Sequence, residues 1–430
     1  MAKTRQAVII IHGIGEQRPF ETLKKFVAKV IVAQGRDVRN KPDRMSLLFE
    51  LRRLQLPRRR GQPQTDFYEY YWAHHMRDTE LRMLLSWFRT LLWRRPSTVP
   101  KKLRPFYWHL WGMLGAAMTA LVLGYIKLGI GTVLALGLFY FIDRNITRIG
   151  FGTIDDAARY LNPTPDNIDQ RNQIRKEGIE LLDALHRSKK YNRIVLVGHS
   201  LGSVIAYDLT RFYWAILEPV DGSPPPGRTF LESWKREAAQ AGDNIESFQQ
   251  LQSRTWLQLR ETGYPWLIND LITIGSPLTH AEMLLAATPE EFTGKKEDGE
   301  YPCSPPVPDS KEVYYSRRYT LDDGTIRQAL VPASFTPFIC VRWTNIFFPH
   351  RRMIMGDLIG GPLQQVFGPG IRDIEVGLQG LVNNTLVCHS RYWRFAKDEK
   401  KKPGCKHPTA EIAKYLCLDI EKGKFRLPEV

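Results

Sequence analysis

The pentapeptide Gly-His-Ser-Leu-Gly at residues 198–202 constrains this chain most, because it directly follows an apolar run at residues 193–197. That run has the composition of a buried strand, and the apolar positions after Gly202 recur at roughly helical spacing. A serine between a strand and a helix lies on a sharp turn that presents its hydroxyl clear of the sheet. Glycines two residues before and after it let the turn close without a Cβ clash. The sequence therefore predicts a nucleophile elbow with Ser200 at its tip.

A second apolar run, at residues 7–11, leads into His-Gly-Ile-Gly at residues 12–15. An oxyanion hole next to a nucleophile elbow takes one backbone N–H from the residue after the nucleophile and one from an early strand-to-helix loop containing His-Gly. The predicted donors are the N–H groups of Leu201 and Ile14. A phosphate-binding loop fits less well, because the GxGxxG pattern is incomplete after Gly15 and no Gly-Lys-Ser/Thr follows.

The remaining members of a catalytic triad should follow in the order serine, acid, histidine. Asp357 lies in the loop after the second predicted strand beyond Ser200, and His389 lies beyond the third. About 15 residues separate the second strand from Asp357. The three predicted strands span residues 271–274, 338–341 and 371–376.

Each of these assignments has a rival. Asp373 also lies between the serine and the histidine, but on a short strand where a carboxylate more often faces solvent. His350 adjoins two arginines that would disfavour an imidazolium, and His407 follows a lysine-rich stretch typical of a solvated loop. His199 occupies the variable position of the elbow, from which we do not expect it to reach Ser200 as a base.

The sequence predicts no metal and no other cofactor. It contains no HExxH motif, and Cys405 with His407 is only a two-ligand fragment. The tandem histidines His74 and His75 have no carboxylate or thiolate at ligand spacing, so we interpret them as packing or loop residues.

Residues 273–278 (TIGSPL) and 389–393 (HSRYW) resemble stretches of the lipase-like branch of the α/β-hydrolase superfamily that includes glycosylphosphatidylinositol inositol deacylases. The chain as a whole resembles an α/β-hydrolase serine esterase or lipase. The resemblance implies a mostly parallel sheet flanked by helices and an acyl-transfer reaction. In it Ser200 would attack an ester carbonyl, His389 would take and return the proton, and Asp357 would orient the imidazole.

A long apolar segment at residues 106–142 carries a single formally charged residue, Lys127. As helices, residues 106–125 and 128–142 would be about 30 Å and about 22 Å long, against a bilayer core of about 30 Å. Both flanks of the segment are basic, which favours a membrane hairpin with both ends in the cytoplasm. Since the first strand begins almost at the N-terminus with no signal peptide, we expect a cytoplasmic catalytic domain on a membrane. A hydrophobic lid on a soluble enzyme is the alternative.

The predicted organisation is a hydrolase core carrying insertions. Its parts are the first portion of the core at 1–72, an insertion with the hairpin at 73–150, and the rest of the core at 151–430. Two cap-like insertions are predicted near 220–262 and 289–337. Within the second, Asp-Asp-Gly at 322–324 predicts a β-hairpin.

The formal net charge of +16 favours an anionic membrane surface. Nucleic acid is not an expected partner, because no helix-turn-helix, zinc-finger or aromatic-basic pattern accompanies the charge. The five cysteines are odd in number and unpatterned, so a disulfide framework is not expected. The predicted partners are an ester or lipid substrate and the membrane. A catalytically silent scaffold with the same fold stays open as a third possibility.

Overall fold

The structure is a computed structural model. It describes isolated positions between 96 and 160 and residues 5–13, 18–43, 52–59, 63–75, 165–217, 228–242, 244–261, 263–286, 288–306, 314–320, 323–350, 356–378, 386–393 and 406–416.

Ten strands are present in these ranges, eight of them in one mixed sheet. In chain order they are β1 (Arg5–Ile11), β2 (Arg39–Pro42), β3 (Arg52–Leu56), β4 (Gln64–Tyr70), β5 (Arg193–His199), β6 (Ile268–Ile274), β7 (Tyr314–Thr320), β8 (Ile326–Pro332), β9 (Arg342–Phe347) and β10 (Ile371–Glu375). The sheet has the order β10-β9-β6-β5-β1-β4-β3-β2, and β7 pairs with β8 alone. Strands from β10 to β4 are parallel, whereas β3 and β2 add an antiparallel edge.

The helices connect and cover these strands. They are α1 (Glu21–Phe26), α2 (Pro165–Arg187), α3 (Leu201–Ile216), α4 (Arg228–Ala241), α5 (Ile245–Glu261), α6 (Ala281–Leu284), α7 (Pro289–Glu297), α8 (Gln364–Phe367) and α9 (Pro408–Tyr415). A π-helical turn at Val27–Ile31 and a 3-10 turn at Val32–Gln34 continue α1. Further 3-10 turns lie at Ala73–His75, Pro277–His280, Pro337–Ile339 and Leu386–Arg391.

Strand β1 shows how the sheet divides the core. Its residues alternate between the two faces, so Ala7, Ile9 and Ile11 join one hydrophobic cluster while Val8 and Ile10 join the other. Helices α2, α3 and α5 contribute to the first cluster, and α1 and α9 contribute to the second. The prediction of an α/β fold with a mostly parallel sheet flanked by helices is therefore confirmed.

The strand predicted at residues 338–341 is wrong. These residues belong to a 3-10 turn and its exit, and β9 begins only at Arg342. Pro337 occupies the start of the turn, where its missing N–H leaves no bond unmade. Phe338 is buried because it stacks on Trp343 at 4.8 Å between ring centroids, not because it lies in the sheet. The strand ends at Phe347, six residues later than predicted, which brings it closer to Asp357.

Part of the insertion predicted near 220–262 belongs to the hydrophobic core. Helix α5 is a core element, since the amide of Gln252 donates hydrogen bonds to the carbonyls of Phe338 and Val341 at 2.7 and 2.8 Å. The β-hairpin predicted around residues 322–324 is confirmed as β7 and β8. Strands β2 and β3 were not predicted.

The apolar segment at residues 106–142 lies almost entirely outside the described residues. Its few described positions are helical, and among them Trp108, Leu114 and Met118 are about half exposed, at 57%, 48% and 57%. No helix in the described part of the chain is both long and apolar enough to cross a bilayer.

Three neighbouring strands share a cluster of buried charged residues, at the end of β5 opposite to Ser200. Arg193, the first residue of β5, and Arg342, the first of β9, both bind Asp270 of β6, the latter at 2.7 Å. Arg193 is fully buried. Burial opposes ionisation of Asp270, but the two guanidinium groups outweigh it and keep the pKa of this carboxyl below its ordinary value.

We expect Asp270→Asn to destabilise the fold by about 3–5 kcal/mol, because two buried cations lose their counter-charge. Urea unfolding measures the loss, with exposed Asp37→Asn as the control, expected within about 0.5 kcal/mol of the parent chain. Since folding lowers the pKa of Asp270, its contribution exists above the unfolded value of about 3.9 and is lost as the pH falls through the folded value. The difference between parent and variant should therefore shrink below about pH 4. A variant as stable as the parent at neutral pH would contradict this role.

Candidate active site

Ser200 lies on a strained turn between β5 and α3. Its backbone adopts φ 52° and ψ −128°, a region that costs a non-glycine residue about 1–3 kcal/mol. The turn is fixed from both sides, because the Ser200 N–H donates to the carbonyl of Ile274 in β6 at 2.9 Å and the Ser200 carbonyl accepts from the N–H of Ser203 at 2.9 Å. The strand and helix predicted around the pentapeptide are both present.

The two glycines of the pentapeptide are required by close backbone contacts. A Cβ on Gly198 would lie 2.4 Å from the Gly202 carbonyl oxygen, and a Cβ on Gly202 would lie 2.2 Å from that of Ile11. The loop after β1 is equally close, since a Cβ on Gly13 would lie 2.8 Å from the Ser200 Cβ. The elbow and the His-Gly loop therefore meet at the carboxyl edge of the parallel strands, where ligands of open α/β sheets bind.

Ser200, His389 and Asp357 form one continuous chain of hydrogen bonds. His389 Nε2 lies 2.9 Å from Ser200 Oγ, and His389 Nδ1 lies 2.8 Å from Asp357 Oδ2. Because the Asp357 carboxylate can only accept, Nδ1 carries the imidazole proton and Nε2 is left to accept from the serine hydroxyl. The sequence placed these residues in three separate segments, and the fold brings them together across 189 residues.

Asp357 is fully enclosed yet ionised. Burial raises its pKa, but the neighbouring His389 and hydrogen bonds from His389, the Gly360 N–H and Tyr392 together lower it to about 2. A further hydrogen bond comes from the Ile359 N–H at 2.9 Å. The carboxylate thus remains charged at neutral pH and can stabilise a positive charge on the imidazole.

Tyr392 is a site residue that sequence reasoning did not single out. Its hydroxyl donates to Asp357 Oδ2 at 2.8 Å and accepts from the Phe348 N–H at 3.1 Å. Its ring lies against Gly275, where a Cβ would approach the ring to 2.7 Å. The quoted stretch 389–393 contained this tyrosine, but nothing in its spacing indicated that it reaches back to the acid.

Two further histidines border the triad as neutral rings. Burial, reinforced by the electrostatic effect of the neighbouring His389 ring, lowers the pKa of His199 to about 3, and its ring stacks on His389 with centroids 5.3 Å apart. Burial lowers the pKa of His12 to about 4, and its ring stacks on Trp72 at 5.1 Å. His199 Nε2 lies 3.2 Å from the His389 carbonyl oxygen, not at Ser200. The imidazole that lies at the Ser200 hydroxyl is therefore that of His389.

The rival acid and bases have other partners. Asp373 was expected to face solvent, but it accepts hydrogen bonds from the Asn345 side chain at 2.7 Å and from the N–H groups of Leu363 and Gln364. It therefore organises the loop between β9 and β10. His407 Nδ1 lies 3.0 Å from Thr409 Oγ1 at the start of α9, and the imidazole within reach of Ser200 is that of His389.

Of the two residues predicted to donate the N–H groups of an oxyanion hole, the structure describes Leu201. Leu201 is the first residue of α3, so its N–H belongs to the positive end of that helix beside Ser200. Ile14 lies outside the described residues. The preceding loop is held in place by the Trp72 indole N–H, which donates to the His12 carbonyl at 2.9 Å.

His74 and His75 lie in a 3-10 turn, in line with their interpretation as loop residues, but the fold gives them a carboxylate neighbour that the sequence spacing does not indicate. Glu177 of α2 lies beside both rings, at 3.6 Å from His74 and 2.9 Å from His75. Sequence spacing could not reveal this contact, because about a hundred residues separate the pair from the glutamate.

No model of a known protein family matches this chain. No curated protein and no solved structure matches it either.

Substitution of Asp357 and of Asp373 should have different effects on kcat. We expect Asp357→Asn to lower kcat for an ester substrate by about 10⁴, because the amide would stabilise the wrong tautomer of His389. Asp373→Asn should keep kcat within about threefold and instead lower the free energy of unfolding by about 1–3 kcal/mol through the lost loop hydrogen bonds. Steady-state kinetics and urea unfolding of both variants measure these effects. The opposite ranking of kcat would assign the acid to β10.

Proposed function

We propose that the protein is a serine hydrolase of the α/β-hydrolase fold that cleaves a carboxylic ester through an acyl-enzyme. The observation that carries this proposal is the unbroken chain from Ser200 Oγ through His389 to an ionised, buried Asp357. Ser200 lies at the tip of a strained strand-to-helix turn. A serine with a purely structural role would not need a backbone conformation of such high energy.

The reaction follows from the roles that the geometry permits. Ser200 Oγ would attack the ester carbonyl carbon as its proton passes to His389 Nε2, and the N–H of Leu201 would stabilise the oxyanion. Collapse of the intermediate would break the carbon–oxygen bond to the alcohol, which leaves with the proton from Nε2. A water molecule would then attack the acyl-enzyme with His389 again as base, releasing the acid and restoring the serine. Asp357 stabilises the transient imidazolium throughout.

The proposed substrate class is a lipid or another acyl ester at a membrane, with the catalytic domain on the cytoplasmic side. Support comes from the apolar segment at 106–142 with its basic flanks, and from the net charge of +16. Trp108, Leu114 and Met118 expose large apolar side chains on helical positions of that segment, which suits contact with lipid better than with water.

A fluorophosphonate probe tests the nucleophile directly. We expect labelling of the parent chain at Ser200, located by peptide mass spectrometry, and loss of both labelling and esterase turnover in Ser200→Ala. Ser203→Ala is the matched control, since Ser203 lies next to Ser200 at the start of α3 but its hydroxyl contacts the Ser200 carbonyl oxygen at 2.5 Å and Ser276 Oγ at 2.7 Å, not His389. The control should keep its labelling. An unlabelled parent chain would favour the silent scaffold, and a labelled Ser200→Ala variant would move the nucleophile elsewhere.

Membrane attachment is tested by fractionation. We expect the full chain to remain in the membrane pellet after high salt and to be released by detergent, because most of the segment at 106–142 is apolar. Cysteines introduced at Arg104 and Arg144 should react from the same side of the membrane, compared with the parent chain as background. Release by salt alone would favour a lid on a soluble enzyme, and labelling from opposite sides would mean a single span.

A further inference from the structure

Two histidines and a glutamate outside the candidate active site form a cluster with the composition of a metal site. His74 and His75 lie in a 3-10 turn directly after β4, and Glu177 lies in α2. One possible ligand atom from each residue lies within 4.8 Å of the other two. Two imidazole nitrogens and one carboxylate oxygen are a ligand set typical of zinc, whereas magnesium and calcium prefer oxygen ligands alone.

The possible ligand atoms are close enough together to bind one ion. Ligand atoms at about 2.0–2.2 Å from zinc lie roughly 3.3–3.6 Å from one another. His75 Nε2 lies 2.9 Å from Glu177 Oε1 and His74 Nε2 lies 3.6 Å from Glu177 Oε2, so each imidazole lies near this separation from one oxygen of the carboxylate. The side chains are 11–35% exposed, which lets an ion enter and leaves a position open to water.

Neighbouring contacts hold the ligands in place. The Tyr71 ring stacks on His74 at 5.7 Å between centroids. The Tyr70 hydroxyl donates to the Ile174 carbonyl and so joins the end of β4 to α2 one turn before Glu177. Gly178 brings α2 against α3 so closely that a Cβ there would lie 2.6 Å from Leu209. Positioning by rigid elements of this kind is what a metal site needs.

We propose that His74, His75 and Glu177 bind one divalent transition-metal ion of the zinc type, with water completing the coordination. The ligands come from the turn after β4 and from α2, so the ion would join these two elements. Its role would be architectural, and the inference is independent of the proposed hydrolase chemistry.

Cobalt titration of the full chain tests the site. The chelator-treated protein, purified in detergent, is titrated with Co²⁺ and then with Zn²⁺, and the bound metal is measured by mass spectrometry. We expect one Co²⁺ per chain with the visible absorption of a tetrahedral nitrogen and oxygen site, displaced by Zn²⁺, and no sulfur-to-cobalt charge-transfer band. That last feature distinguishes the cluster from a site at Cys405 and His407. Bound metal should also raise the thermal midpoint of unfolding.

Variants locate the ion. His75→Ala and Glu177→Gln should each weaken Co²⁺ binding at least tenfold and abolish the metal-dependent thermal shift. Glu180→Gln is the matched control, because Glu180 is exposed on the same helix and should leave binding unchanged. Circular dichroism of each variant checks that the fold is retained. Absence of stoichiometric binding in the parent chain, or binding unaffected by both ligand variants, would overturn the proposal and leave the cluster a contact between two histidines and a carboxylate.

Discussion

The backbone of Ser200 is the constraint on which the candidate site depends. Its φ of 52° is unfavourable for any residue with a side chain, and the sheet and the following helix hold it there. Gly198 and Gly202 make this possible, since a methyl group at either position would collide with backbone. The same turn that strains the serine aims its hydroxyl at His389 and places the first N–H of α3 beside it. Local strain thus accompanies a defined orientation of the Ser200 hydroxyl.

The electrostatics of the site follow from burial. Ser200 and Asp357 are each about 1% exposed, so a charge on the imidazole would find almost no water to stabilise it. The Asp357 carboxylate supplies that stabilisation, and its pKa stays low because the electrostatic interaction with His389 and hydrogen bonds from His389, Tyr392 and backbone N–H groups outweigh the cost of its burial. The neighbouring imidazoles of His199 and His12 are kept neutral by the same enclosure. Among these three imidazoles, that of His389 is therefore the one placed to accept the proton of the Ser200 hydroxyl.

Local patterns predicted much of the core but not its long-range contacts. The apolar runs of β1, β5, β6 and β10 and the helix after Ser200 were predicted because a buried parallel strand has a distinctive composition. Phe338 misled the prediction, since an apolar residue buried against the ring of Trp343 has the same composition as one buried within a sheet. Tyr392 and Glu177 act through contacts that only the folded chain creates, and Ile14 lies outside the described residues. Spacing along a sequence carries no information of that kind.

The central claim is that Ser200 is a nucleophile held beside an oxyanion-binding N–H. A crystal structure of the protein after reaction with a fluorophosphonate tests it most directly. We expect phosphorus bonded to Ser200 Oγ, its oxygen within about 3 Å of the Leu201 nitrogen, and His389 still bonded to Asp357. An adduct on another residue, or an unreacted Ser200 with the phosphonate elsewhere, would contradict it.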